Sequence, residues 1–135
     1  MRVLAIDLGD ARTGLAAGED LTGTVQPLEV IEERTPELRM EKIARAIEEF
    51  GPDQLLVGLP VNMDETEGPR ARDARAFAAE LSERTGIPVH MQDERLTSFA
   101  AEEHLKQSGR THKQKKKVRD ALAAVEMIRD YFNRS

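Results

Sequence analysis

Two short stretches of this chain, Val3-Leu4-Ala5-Ile6 and Leu55-Leu56-Val57, are apolar at every position. A strand with one wet face alternates apolar and polar residues. An unbroken run marks a strand covered on both faces, as in a sheet with helices on each side. The first run ends in Asp7-Leu8-Gly9. A carboxylate at the end of such a strand is costly to ionise without a partner. A divalent cation gripping a phosphate is the partner its chemistry suggests.

The punctuation around these runs sets the order of elements. Residues 2–8 read as strand one, 13–18 as strand two and 25–33 as strand three, with Pro27 suited to a sheet edge. A helix is expected after Thr35 as N-cap and Pro36 at the first helical position, with Met40, Ile43, Ala44, Ile47 and Phe50 as its apolar stripe. Gly51-Pro52 stops it. Gln54 to Leu59 is the central parallel strand. A second helix is expected over 70–85, with Ala74, Phe77, Ala78 and Leu81 inward and Gly86 as its stop. Val89 to Asp93 is strand five. A helix over 97–107, a basic loop from Arg110, and a last helix over 117–132 complete the chain. Right-handed crossovers then give a mixed five-stranded sheet of order 3-2-1-4-5 between helical layers, the ribonuclease H-like α/β layout. Residues 1–135 are expected to form one such domain.

Composition narrows the chemistry. Without cysteine the chain has no disulfide, zinc-thiolate site, iron–sulfur cluster or cysteine nucleophile. His90, His104 and His112 are scattered and read as structural or surface residues. No signal peptide or membrane span is visible, so a cytoplasmic protein is expected. The net charge is −5, but Arg110 to Arg119 holds six basic residues and no acid, leaving −11 on the rest. That segregation marks a candidate footprint for a polyanion, although a solvated loop would show the same run.

Four acids are candidates beside the phosphate chemistry expected of Asp7. Asp10 suits turn duty. Asp93 and Glu94 emerge where strand five ends, the place where ligands collect in open α/β sheets, and alternation sends them to opposite faces. Asp120 lies early in the last helix, where a negative charge also suits the helix dipole, on a stripe with Ala124, Met127 and Tyr131. The small Ala123-Ala124 pair would let that helix lie close to the sheet. Carboxylates from two strands and a helix suit Mg²⁺ or Mn²⁺, and paired ions can activate water against a phosphodiester.

Taken in order, Ile6-Asp7-Leu8-Gly9 with Arg12 and Gly14, Val57-Gly58-Leu59-Pro60, Gly68-Pro69-Arg70-Ala71, Asp93-Glu94-Arg95-Leu96-Thr97-Ser98, and Lys116 with Asp120 before Ala123-Ala124 resemble the YqgF/RuvX family across the whole chain. The resemblance implies a ribonuclease H-like fold related to the RuvC Holliday junction resolvases. It implies a nuclease that matures the 5′ end of the 16S rRNA precursor, with branched DNA as an alternative substrate. By position it makes Asp7, Glu94 and Asp120 the catalytic, metal-binding acids, with Mg²⁺ or Mn²⁺ as cofactor. Arg12 and Arg95 would hold phosphates or pair with the acids, Lys113, Lys115, Lys116 and Lys117 would clamp nucleic acid, and the 60–69 loop would close on substrate. RuvC-type enzymes carry an acid on strand four where this chain has Gly58. Strand five lies about 10 Å from strand one, so the longer Glu94 is favoured over Asp93.

The expected partners are structured RNA, with the pre-ribosomal small subunit as its setting, or branched DNA. No membrane partner is expected, and the protein is read as a monomer or homodimer. Two other readings compete. A non-catalytic ribosome-assembly or transcription factor would bind RNA through the basic segment alone. A nucleotide-binding module like the sugar kinases and actin-like ATPases would share Asp7-Leu8-Gly9 with Gly14, but those proteins repeat the fold and this chain holds one copy.

Overall fold

The computed structural model describes residues 1–60, 64, 66–93 and 112–134, with residues 112–120 and 134 described by backbone alone. Five strands, β1 (Arg2–Asp7), β2 (Arg12–Glu19), β3 (Thr24–Glu32), β4 (Gln54–Leu59) and β5 (Val89–Asp93), form one sheet of order β3-β2-β1-β4-β5. β1 pairs antiparallel with β2 and parallel with β4, and β4 pairs parallel with β5. This is the expected order, with strand boundaries within a residue of those expected. β3 is an edge strand, and Pro27 sits opposite Ala16 where the register slips. A missing N–H is harmless at such a point.

Helix α1 (Pro36–Phe50) starts at Pro36 after Thr35 and ends on Gly51. The Thr35 hydroxyl makes no cap hydrogen bond. Gly51 and Gly86 both hold positive φ and close α1 and α2 (Pro69–Thr85) as left-handed C-caps. The buried stripe of α1 is Met40, Ile43, Ala46 and Ile47. Ala46 takes the inward place expected of Ala44, because both helices pack on one sheet face and widen the covered arc.

Side-chain alternation divides the core into two layers. Leu4, Ile6, Leu15, Leu55 and Val57 meet α1 and α2 on one face. Val3, Ala5, Ala16 and Leu56 meet Ala124, Val125, Met127 and Ile128 of α3 (His112–Arg134) on the other. Central strands covered on both sides account for the unbroken apolar runs.

The start of α3 corrects the sequence reading. Residues 113–117 are not a loop before a helix at 117; they form its opening turns. Lys and Gln are good helix formers, and the segment holds neither Gly nor Pro. A run of like charge argued for a loop, but propensity and the anchored apolar stripe downstream carry the helix back to His112. The helix expected over 97–107 lies outside the described residues. Among the described residues, no helix is long and apolar enough to cross a membrane.

Candidate active site and nucleic-acid interface

Asp7 is the last residue of β1, half-buried, and alternation puts it with Val3 and Ala5 on the α3 face. Its cross-strand partner on β2 is Gly14. On the other side Ile6 faces Val57, and the same register carries Asp7 to Gly58. Gly58 in turn faces Gln92 of β5. One row across the sheet therefore reads Gly14, Asp7, Gly58, Gln92. The carboxylate stands between two residues that have no side chain, both of them buried, on the face that α3 covers. The half-buried Asp7 carboxylate is an oxygen ligand of the kind a hard cation takes.

The same register decides which face Asp93 takes. Gln92 is buried on the α3 face, where its amide nitrogen donates to the Met127 carbonyl (3.0 Å) and to the Asp130 carboxylate (2.9 Å). Asp93 alternates to the face of Val89 and Met91, which pack against the α1–α2 layer. Asp93 is therefore on the side of the sheet opposite Asp7. Glu94 and Arg95 lie outside the described residues.

α3 has a defined direction. Near its end, Tyr131 donates its hydroxyl hydrogen to Gln54 Oε1 (2.6 Å) at the start of β4, and its ring meets His90 on β5. Further back, Met127 and Asp130 receive Gln92 from Asp7's own row. The helix runs from the C-terminal edge of the parallel strands toward their N-terminal edge. Ala123 and Ala124 are both buried, Ala124 against Val3, Ala5, Ala16 and Leu56 of the sheet. Gly18 shows how close the approach is: a Cβ there would lie 2.6 Å from Ile128 Cγ2 and 3.3 Å from the Phe132 ring. Position 120 falls one turn before Ala124, and the backbone of Lys113, Lys115, Lys116 and Lys117 lies in the turns before that.

The turn after Asp7 is tightly built. A Cβ on Gly9 would collide with the Arg12 carbonyl oxygen. The Gly9 carbonyl accepts Arg39 Nη1 from α1 at 3.0 Å. Arg12 is half-buried at the first position of β2. Among the described residues no three His, Asp or Glu side chains are gathered to share an ion. One residue, Gln92, escaped the sequence reading, and two glycines were named without their place. Gln92 had a signal, a polar residue at a buried place in a short strand, and Gly14 with Gly58 showed as a motif whose spatial meaning came only with the register.

The profile of a family described as RuvX, Holliday junction resolvase, matches residues 1–134. A relative from Anaeromyxobacter sp. (strain Fw109-5), provisionally named a pre-16S rRNA nuclease, is 43% identical over 98% of this chain and 97% of its own. A Streptococcus gordonii protein with the same provisional name is 38% identical over 100% and 99%. Among solved structures, T. thermophilus RuvC in complex with a Holliday junction substrate superposes with a TM-score of 0.63 at 19% identity, over 100% of this chain and 97% of that one. That likeness shows the ribonuclease H-like fold.

Proposed function

This chain belongs to the RuvX family, and we propose that it is a divalent-metal-dependent nuclease that hydrolyses phosphodiester bonds in maturing the 5′ end of the 16S rRNA precursor. The observation that carries the reading is Asp7, a half-buried carboxylate at the end of a central strand with glycine on both sides. The names of the relatives point to precursor rRNA as the substrate.

In this reading Asp7, Glu94 and Asp120 hold Mg²⁺ or Mn²⁺. Asp93 takes the face opposite Asp7, which favours Glu94 over it, and position 120 lies one helical turn before the buried Ala124. When bound, the cation supplies Lewis-acid stabilisation of the phosphorane charge and lowers the pKa of water. The protein's own residues do the rest. The three carboxylates orient the ion, and Arg12 and Arg95 neutralise flanking phosphates.

The lysines at the start of α3 belong to the same reading. That helix opens with Lys113, Lys115, Lys116 and Lys117 and has no acid in its first turn. Positive charge at a helix N-terminus opposes the dipole. A polyanion bound there relieves both the dipole and the mutual repulsion, which favours nucleic acid over an idle solvated face.

Asp7→Asn is expected to abolish cleavage of a precursor-16S 5′ leader RNA in Mg²⁺ or Mn²⁺ while leaving the circular dichroism and thermal midpoint near wild type. Full activity of that variant would sink the proposal. The family description favours a second reading, resolution of branched DNA. Cleavage of a four-way DNA junction in preference to the leader RNA, by a protein that light scattering shows to be dimeric, would establish that reading instead.

A further inference from the structure

On the sheet face opposite Asp7, α1 and α2 part to leave a crevice of about 570 Å³. It lies outside the C-terminal ends of β1 and β4. There the chain leaves β1 toward β2 and β3 on one side, then returns through α1 to β4 on the other. Open α/β sheets place ligands in the crevice at such a reversal, and the volume falls in the range of small-molecule sites. The floor is apolar: Leu8, Met40, Ala74 and Phe77. Three arginines reach the rim: Arg34, Arg39 and Arg70. None of them takes part in an ion pair among the described residues. Arg39 is held in place by its bond to the Gly9 carbonyl. The N-termini of both helices, at Pro36 and Pro69, open onto this edge of the sheet and add positive potential.

The rim also carries Asp10, Asp73 and Glu80. Three acids against three arginines leave no net charge, which disfavours a polyphosphate. The pattern suits a ligand with one phosphate, a flat apolar body and N–H donors. Arginine binds the phosphate in fork geometry, an apolar floor accepts the face of a ring, and carboxylates accept from the amino edge of a base. We propose that this crevice binds one nucleoside monophosphate unit, phosphate toward Arg34, Arg39 and Arg70 and base over Leu8, Met40 and Phe77. Leu8, Gly9 and Asp10, which follow Asp7 directly in the β1–β2 turn, line the crevice. The unit is either a free nucleotide or a residue of the nucleic-acid substrate. The second source rests on the nuclease reading; the binding itself does not.

The test uses full-length Asp7→Asn protein with ¹³C-methyl labels on Leu, Met and Ala. Titrating AMP, GMP, CMP and UMP separately is expected to shift the methyls of Leu8, Met40 and Ala74, with inorganic phosphate shifting them far less. Arg34→Glu with Arg70→Glu, both exposed positions, is expected to weaken binding about ten-fold or more, the loss of a charge-assisted contact or two. Equal shifts with phosphate alone, or none with any nucleotide, would overturn the inference. A single-stranded oligonucleotide that shifts the same methyls at lower concentration than the free nucleotides identifies the strand as the source; the reverse order identifies a free nucleotide. Wild-type cleavage of leader RNA is assayed in parallel, so a silent crevice with Asp7-dependent cleavage removes this inference and leaves the nuclease reading standing.

Discussion

Asp7 draws its meaning from its neighbours. The acid alone could have been a turn cap; the register sets it between Gly14 and Gly58, on the face covered by α3. Gly9 is constrained by lack of room. Gly9→Ala drives a methyl into the Arg12 carbonyl oxygen and is expected to destabilise the fold by about 1–3 kcal/mol, read from urea unfolding. The chain terminus is a third residue-scale case. The Met1 ammonium donates to Glu19 Oε1 (3.0 Å) and Asp20 Oδ1 (2.8 Å). The Asp20 bond first, then the Glu19 bond, raises its pKa from an ordinary 8.0 to about 10. A cation whose pKa is raised on folding stabilises fully below the unfolded value and loses that contribution as pH climbs through the folded one. Stability is therefore expected to fall between pH 8 and about 10, and Asp20→Asn with Glu19→Gln should flatten that part of a thermal-midpoint profile. Asp7, Gly9 and Gly14 were all visible in the sequence as a motif. Their separate duties were not, because spacing along a chain does not say which residue faces which across a sheet.

At the scale of elements, α3 carries the argument. Its seat on the sheet depends on Gly18, where Ile128 and Phe132 come closer than a methyl allows. Gly18→Ala is expected to destabilise by about 1–3 kcal/mol, and Ile128→Ala, which removes the clashing Cγ2 methyl, should cost less in that variant than in the wild type, a coupling readable in a double-mutant cycle. Gln92 fixes the other side of the seat. Gln92→Leu removes two hydrogen bonds, one of them to a carboxylate, and is expected to cost about 1–3 kcal/mol. If Asp120 is a metal ligand, the same variant also weakens Mn²⁺ binding, measured by titration calorimetry at a temperature where it stays folded. Helices α1 and α2 were legible to within a residue because Pro, Gly and an apolar period mark them. The start of α3 was not, since a charge run carries no period and says little about backbone.

At the scale of the whole molecule, charge is segregated: six basic residues lie in Arg110 to Arg119, on a chain of net charge −5. Binding of leader RNA should therefore weaken steeply with salt. If the four lysines from 113 to 117 each meet a phosphate, the slope of log K against log salt is about −3, and reversing Lys115 to Lys117 should flatten it. A slope near zero would remove the helix start from the interface. Layering, strand order and polarity were all decided along the chain. Continuous apolar runs cannot be solvated on either face, and the caps leave few ways to connect them. The candidate acids were also named there, as residues too costly to bury for packing alone. Folding in three dimensions decided the surroundings of the described residues. Asp93 was assigned to the far face, Gln92 was brought under α3, and a crevice opened between α1 and α2 whose lining comes from four separate stretches of chain. The reason is physical: burial is a property of each residue and its immediate pattern, whereas register and helix seating are set by pairs of residues far apart in sequence.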